Sequence, residues 1–146
     1  MSMFCYQCQE TAGGRGCTVR GVCGKTEEVA RLQDLLIYTV KGISDIVVKG
    51  GLDVGSLGQL NREVISSLFM TITNANFDPG SIERQIGKML RLRDELRGSV
   101  NVSRLHDAAT FTVGARAEML DTAALVGVLA TGNEDIRSLR EMITYG

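Results

Sequence analysis

The stretch TEEVARLQDLLIYTVKGISDIVVKG, residues 26–50, reads as one long amphipathic helix. Thr26 offers a capping hydroxyl, and Glu27 and Glu28 fall in the first turn, where the positive end of the helix dipole favours acidic side chains. Val29, Leu32, Leu36, Val40, Ile43 and Val47 recur at helical spacing and lay an apolar stripe along one face. A stripe of that length needs partner helices to cover it.

The sequence that follows supplies them. GGLDVG (50–55) breaks the first helix. Ser56-Leu57-Gly58-Gln59 has the form of a capping box, and Leu57, Leu60, Val64, Leu68 and Ile72 make a second stripe. Asp78-Pro79 predicts a third start, since aspartate caps and proline fits the first turn. Ile82, Ile86, Met89 and Leu96 give that helix an inner face, and Gly98 is expected to end it. Residues 99–112 carry no clear period. A short helix is expected around Ala115–Ala124, then a turn between Gly127 and Gly132, then a last helix capped by Asn133 with Glu134 and Asp135 in its first turn. No pair of strands is legible. The expected fold is all-α, a bundle of about five helices preceded by a cysteine-rich loop, with the loop at 1–25 and the bundle at 26–146 packed as one domain. Composition agrees: 44% apolar residues, 5% aromatics, no tryptophan and one proline suit packed helices better than a sandwich of sheets.

EEVARLQDLLIYT (27–39) can be laid over NEDIRSLREMITYG (133–146), with Leu32 on Leu139, Asp34 on Glu141 and Tyr38 on Tyr145. The first copy continues for about ten residues beyond its tyrosine, whereas the second reaches only Gly146. The repeat therefore predicts a repeated helical bundle cut off inside its last helix. The simpler alternative is a short last helix with Gly146 as its C-cap.

The formal net charge is −1, which does not suit a nucleic-acid binder. No run approaches the ~20 apolar residues of a membrane span, and no leader is legible before Cys5. The chain is expected to be cytoplasmic, where thiols stay reduced. Residues 1–25 are locally basic, with Arg15, Arg20 and Lys25 against Glu10.

All four cysteines lie in CYQCQETAGGRGCTVRGVC, at Cys5, Cys8, Cys17 and Cys23. In a reducing compartment such a cluster points to metal rather than to structural disulfides. The first pair, three apart, can offer both sulfurs to one centre from a single turn; the later pair must loop back, which the intervening glycines permit. Two centres compete. A tetrahedral zinc site takes four cysteines but usually repeats a short spacing in both halves. An iron–sulfur cube has a wider ligand cage and accepts irregular spacing, so the C-x2-C-x8-C-x5-C pattern favours it while zinc stays open. Arg15, Arg20 and Lys25 would offset the charge of four thiolates on either.

MFCYQCQETA (3–12), GCTVRGVCGKTEEVARLQDLLIYTVKG (16–42) and LATGNEDIRSLREMITYG (129–146) resemble the N-terminal domain of the hybrid cluster protein family, also called prismane proteins or hydroxylamine reductases. The resemblance runs the length of the chain and is looser over 50–110. It implies a helical domain of two three-helix bundles, here truncated, followed in the parent by two α/β domains. It also implies a parent enzyme that reduces hydroxylamine, or a related nitrogen oxide, to ammonia. Cys5, Cys8, Cys17 and Cys23 match the family's cubane ligands one for one, and their spacing is similar to the [4Fe–4S] branch rather than the more widely spaced [2Fe–2S] branch. The hybrid iron–sulfur–oxygen cluster, where substrate is reduced, lies in the later domains. No residue here matches its ligands, so this chain is expected to be an electron-transfer module without catalytic residues. Its expected partners are the missing C-terminal domains and a redox electron donor. The rival reading is a zinc-stapled helical interaction domain without a redox role.

Other motifs carry less. Phe4 and Tyr6 flank the first cysteines and could shield a cluster or simply cover the loop. Gly13-Gly14-Arg15-Gly16 lacks the preceding strand and following lysine of a phosphate loop. His106, the lone histidine, is expected to be a loop residue without a ligand role. Lys88, Arg91, Arg93, Asp94, Glu95 and Arg97 are expected to form a solvated helix face, and the six methionines to fill the core. A truncated bundle would expose an apolar face, so self-association through Ile136, Leu139, Met142 and Ile143 is expected.

Overall fold

A computed structural model describes residues 1–72 and 75–145 of the chain. Gly146, the possible C-cap of the last helix, lies outside the described residues. The described residues form five α-helices: α1 (Glu27–Lys49), α2 (Gly58–Thr71), α3 (Pro79–Ser99), α4 (Arg116–Val126) and α5 (Glu134–Tyr145). They contain no strand beyond an isolated two-residue bridge, so the all-α expectation holds.

Helix α1 is the central element, and α2, α3 and α4 pack around it. Its buried stripe includes Val29, Leu32, Leu36, Val40 and Ile43. Ile82, Ile86 and Met89 of α3 and Met119 and Ala123 of α4 close the same core. Three of the predicted caps are made: Thr26 Oγ1 accepts from Val29 N (3.3 Å), Asp78 Oδ1 from Gly80 N (2.9 Å) and Asn133 Oδ1 from Ile136 N (3.0 Å). Methionine fills the core only in part, since Met3, Met89 and Met119 are buried while Met1 and Met142 are exposed.

Local readings differ at three places. Ser56 does not cap α2; it ends a 3-10 turn (Val54–Ser56), and its hydroxyl donates to Asp53 O at 2.7 Å. Gly98 does not end α3, which runs to Ser99. Arg93 does not belong to a solvated face. It is fully buried, because residue 93 falls one turn beyond Met89 on the inner side of α3. Its guanidinium donates to Ala108 O (3.2 Å), Phe111 O (2.7 Å) and Asp94 Oδ1, and lies 4.7 Å from the centre of the Phe111 ring. These bonds pin the segment without clear period, 99–112, against the bundle. Gly42 of α1 permits that approach: a Cβ there would lie 2.0 Å from Ala108 O.

Helix α5 sits apart from this core. Arg137 is its only buried residue, and Ile136, Leu139, Met142 and Ile143 are all more than half exposed. None of the described helices is long and apolar enough to cross a membrane.

Candidate metal centre

The cysteine loop is built on a two-residue antiparallel bridge. Cys5 N donates to Cys17 O (3.0 Å) and Cys17 N to Cys5 O (2.9 Å), so two cysteines twelve positions apart in sequence stand opposite one another. The bridge rests on the start of α1 through a small apolar cluster of Met3, Cys17 and Ala30, with Cys5 against it. Gly16 makes the return possible. Its φ of +111° is a conformation that side-chain-bearing residues avoid, and a Cβ there would strike the Phe4 ring at 2.6 Å.

Each sulfur has its own surroundings. Cys17 is buried; Ala12 N approaches its sulfur at 3.5 Å and Thr11 Oγ1 at 3.7 Å. Burial pushes the Cys17 thiol up, but the N–H groups of Ala12 and Val22 and the Thr11 hydroxyl outweigh it and hold the thiol below its ordinary value. Cys5 is half-buried, and burial pushes its thiol up against the opposing pull of Lys25. Lys25 is itself buried, with Nζ 3.7 Å from Cys5 Sγ and 3.4 Å from Gln7 Oε1. Cys8 is half-buried, its carbonyl accepting from Thr11 N at 3.2 Å. Cys23 is exposed, on a tight turn closed by Gly24 N donating to Gly21 O (2.9 Å).

All four thiols are free. Among the described residues, no three cysteine, histidine or carboxylate side chains converge on one point as ligands of a single ion. Cys5 and Cys17 are brought together by the bridge, while Cys23 is exposed to solvent. The donor set nonetheless fits an iron–sulfur centre. It consists of soft thiols on one loop, with backbone N–H groups directed at sulfur and an ammonium beside it, the features that stabilise thiolate and tune a cluster. Of the three cations expected to offset thiolate charge, only Lys25 reaches a sulfur; Arg15 and Arg20 are exposed.

A model of the Prismane/CO dehydrogenase family matches residues 3–146. The chain belongs to that family. Among curated relatives, a protein named hydroxylamine reductase from Acetivibrio thermocellus is 73% identical over 146 residues, covering all of this chain and 27% of the relative. Proteins of the same name from Clostridium perfringens and Desulfitobacterium hafniense are 53% and 50% identical, each again covering all of this chain and 28% of the relative. The chain thus spans between a quarter and a third of the length of these relatives. Membership of the prismane family agrees with the resemblance carried by the cysteine block.

The lesser motifs make local hydrogen bonds. His106 is exposed; its Nδ1 accepts from Ala108 N (3.0 Å) and so caps the turn that Arg93 grips. In the Gly13–Gly16 turn, Gly14 O accepts from the Tyr6 hydroxyl at 3.2 Å. The cleft between this loop and α5 has a volume of about 720 Å³ and is lined by Phe4, Tyr6, Arg15, Glu141, Met142 and Tyr145 among others. Two groups beside the cysteine loop, Asp34 and Arg137, belong to no motif of catalysis or ligation. Only the repeat, which pairs Asp34 with Glu141, marked the first.

Proposed function

We propose that this chain is the N-terminal electron-transfer module of an iron–sulfur oxidoreductase that reduces hydroxylamine or a related nitrogen oxide to ammonia. Cys5, Cys8, Cys17 and Cys23 would hold a [4Fe–4S] cubane, and the loop at 1–25 and the bundle at 26–146 act as one domain. The observation that carries the reading is the pairing of Cys5 with Cys17 across one backbone bridge, in a loop holding every cysteine of a prismane-family chain. When bound, the cluster supplies one-electron transfer.

The chain's own residues do the rest. The bridge fixes two ligands on the start of α1. Ala12 N and Thr11 Oγ1 stabilise the Cys17 thiolate, and Lys25 offsets charge at Cys5. Phe4, buried beside Cys5, excludes water from that side. The hybrid cluster and the substrate site belong to the remaining length of the parent protein, as does the α/β architecture, so this chain alone is expected not to reduce hydroxylamine. The cytoplasm, with its reduced thiols, is the compartment this chemistry suits.

Metal and sulfide analysis of protein purified and reconstituted without oxygen tests the proposal. About four irons and four sulfides per chain, with a brown absorption that fades on dithionite, is the expected result for a cubane. One zinc and no colour would overturn it in favour of a stapled helical domain. Two irons and two sulfides would keep the redox role and replace the cluster type.

A further inference from the structure

Arg137 is the one side chain that α5 buries, and it is 8% exposed. Its Nε is buried without a hydrogen-bond partner among the described residues, and no carboxylate there pairs with it. A guanidinium withdrawn from water in this way needs some other compensation. Its guanidinium lies over the Phe4 ring, whose centre is 4.2 Å from Cζ. Stacking on an aromatic face suits arginine, being planar and weakly hydrated. The same ring touches the backbone of Gly16 so closely that a Cβ there would meet Phe4 Cε2 at 2.6 Å. Phe4 precedes Cys5 and Gly16 precedes Cys17, the two residues joined by the bridge. One ring therefore bears on both strands of the bridge, and one cation from α5 bears on the ring.

We infer that Arg137 is a positioning residue for the cysteine loop, clamping Phe4 against Gly16 and so fixing Cys5 and Cys17 before any metal arrives. The inference deepens the proposed function, since it says how two ligands are preorganised, but its central test needs no metal. In α1, the position equivalent to Arg137 under the internal repeat is Ala30, which also lies against the loop, in the apolar cluster with Cys17. Both copies of the repeat thus point this position at the cysteines, one as a small apolar floor and the other as a cationic clamp.

The experiment measures the rate at which a thiol-specific disulfide reagent modifies each cysteine in the reduced, metal-free full chain, resolved by mass spectrometry. In the native sequence Cys23 should react fast and Cys17 slowly, as their exposures dictate. Arg137→Gln should accelerate Cys17 about tenfold through local opening of the loop, with Cys23 unchanged. Arg137→Lys, which keeps a cation, should restore part of the protection. Phe4→Leu should match Arg137→Gln, and the double variant should add little, because both break one clamp. An unchanged Cys17 rate would overturn the inference. So would equal acceleration at all four cysteines with loss of helical signal, which would reduce Arg137 to a support for α5. Loss of iron to a chelator from the reconstituted native protein and Arg137→Gln should follow the same order. Failure of the native chain to take up any iron would sink the cluster reading and leave the thiol result standing.

Discussion

Asp34 is the most perturbed carboxyl beside the loop. Its Oδ2 accepts from Val128 N (3.0 Å), which ties α1 to the turn before α5. Burial pushes its carboxyl up to about 7; the Val128 N–H opposes this, Glu141 adds to it, and Lys25 and Lys41 oppose it. The folded state then holds a proton that the unfolded state has already released, between the ordinary carboxylate range and about 7. Stability contributed by this group is therefore greatest at low pH and declines as pH rises towards neutrality. Asp34→Asn, which keeps an acceptor for Val128 N, should flatten that slope. It should raise stability above neutral pH by on the order of 2–4 kcal/mol, measured as urea unfolding between pH 5 and 8. A slope identical to the native one would show that the carboxyl titrates normally. Gly42 allows a second test at this scale. Gly42→Ala would drive a Cβ into the Ala108 carbonyl and should cost about 2–4 kcal/mol. Thermal unfolding of the two proteins side by side would measure it, and a small change would mean the 99–112 segment moves away freely.

At the level of elements, the amphipathic stripes were readable because α1 and α3 bury one face in a regular period. Helix α3 also shows where reading fails. Arg93 stands in a run of charges, and its type predicts solvent; its register predicts core, and register wins because carbonyls of the 107–111 turn are there to receive the guanidinium. Those acceptors come from sequence about fifteen residues away that has no period of its own, so neither partner could be read from the other. Arg93→Met should destabilise the fold by about 1–3 kcal/mol. The apolar stem is kept while two buried carbonyls lose their donor. Protection of the 107–111 amides from hydrogen exchange should fall in that variant, while protection in α1 away from the turn remains. The cysteine loop stood out as a candidate metal site from residue type and spacing. Its Cys5–Cys17 bridge was not legible, since two paired residues among five glycines leave no alternating pattern.

The whole molecule is unevenly finished. Helices α1 to α4 share a closed core, while α5 lies against the loop and the 128–130 turn and leaves its apolar side in water. Ile136, Leu139, Met142 and Ile143 are 52%, 55%, 67% and 83% exposed, and Ile72 and Tyr145 extend apolar surface into the adjoining cleft. Isolated exposed apolar residues are ordinary, but four on a single twelve-residue helix form a patch that favours association. The internal repeat gives the same answer from another direction. Leu139 corresponds to Leu32, which α1 buries completely, so the pattern of α5 is that of a helix with partners. The isolated chain should therefore self-associate through this face. Sedimentation velocity over a range of concentrations should show the average mass rising from that of a 15.8 kDa monomer. Leu139→Lys with Ile143→Lys should return the chain to a monomer while its helical content stays the same, because neither side chain contributes to the core. Arg137 is untouched by this pair of substitutions, so the reactivity of Cys17 should remain slow in the monomeric variant. A monomer at high concentration in the native sequence would show that the patch is too small to drive association.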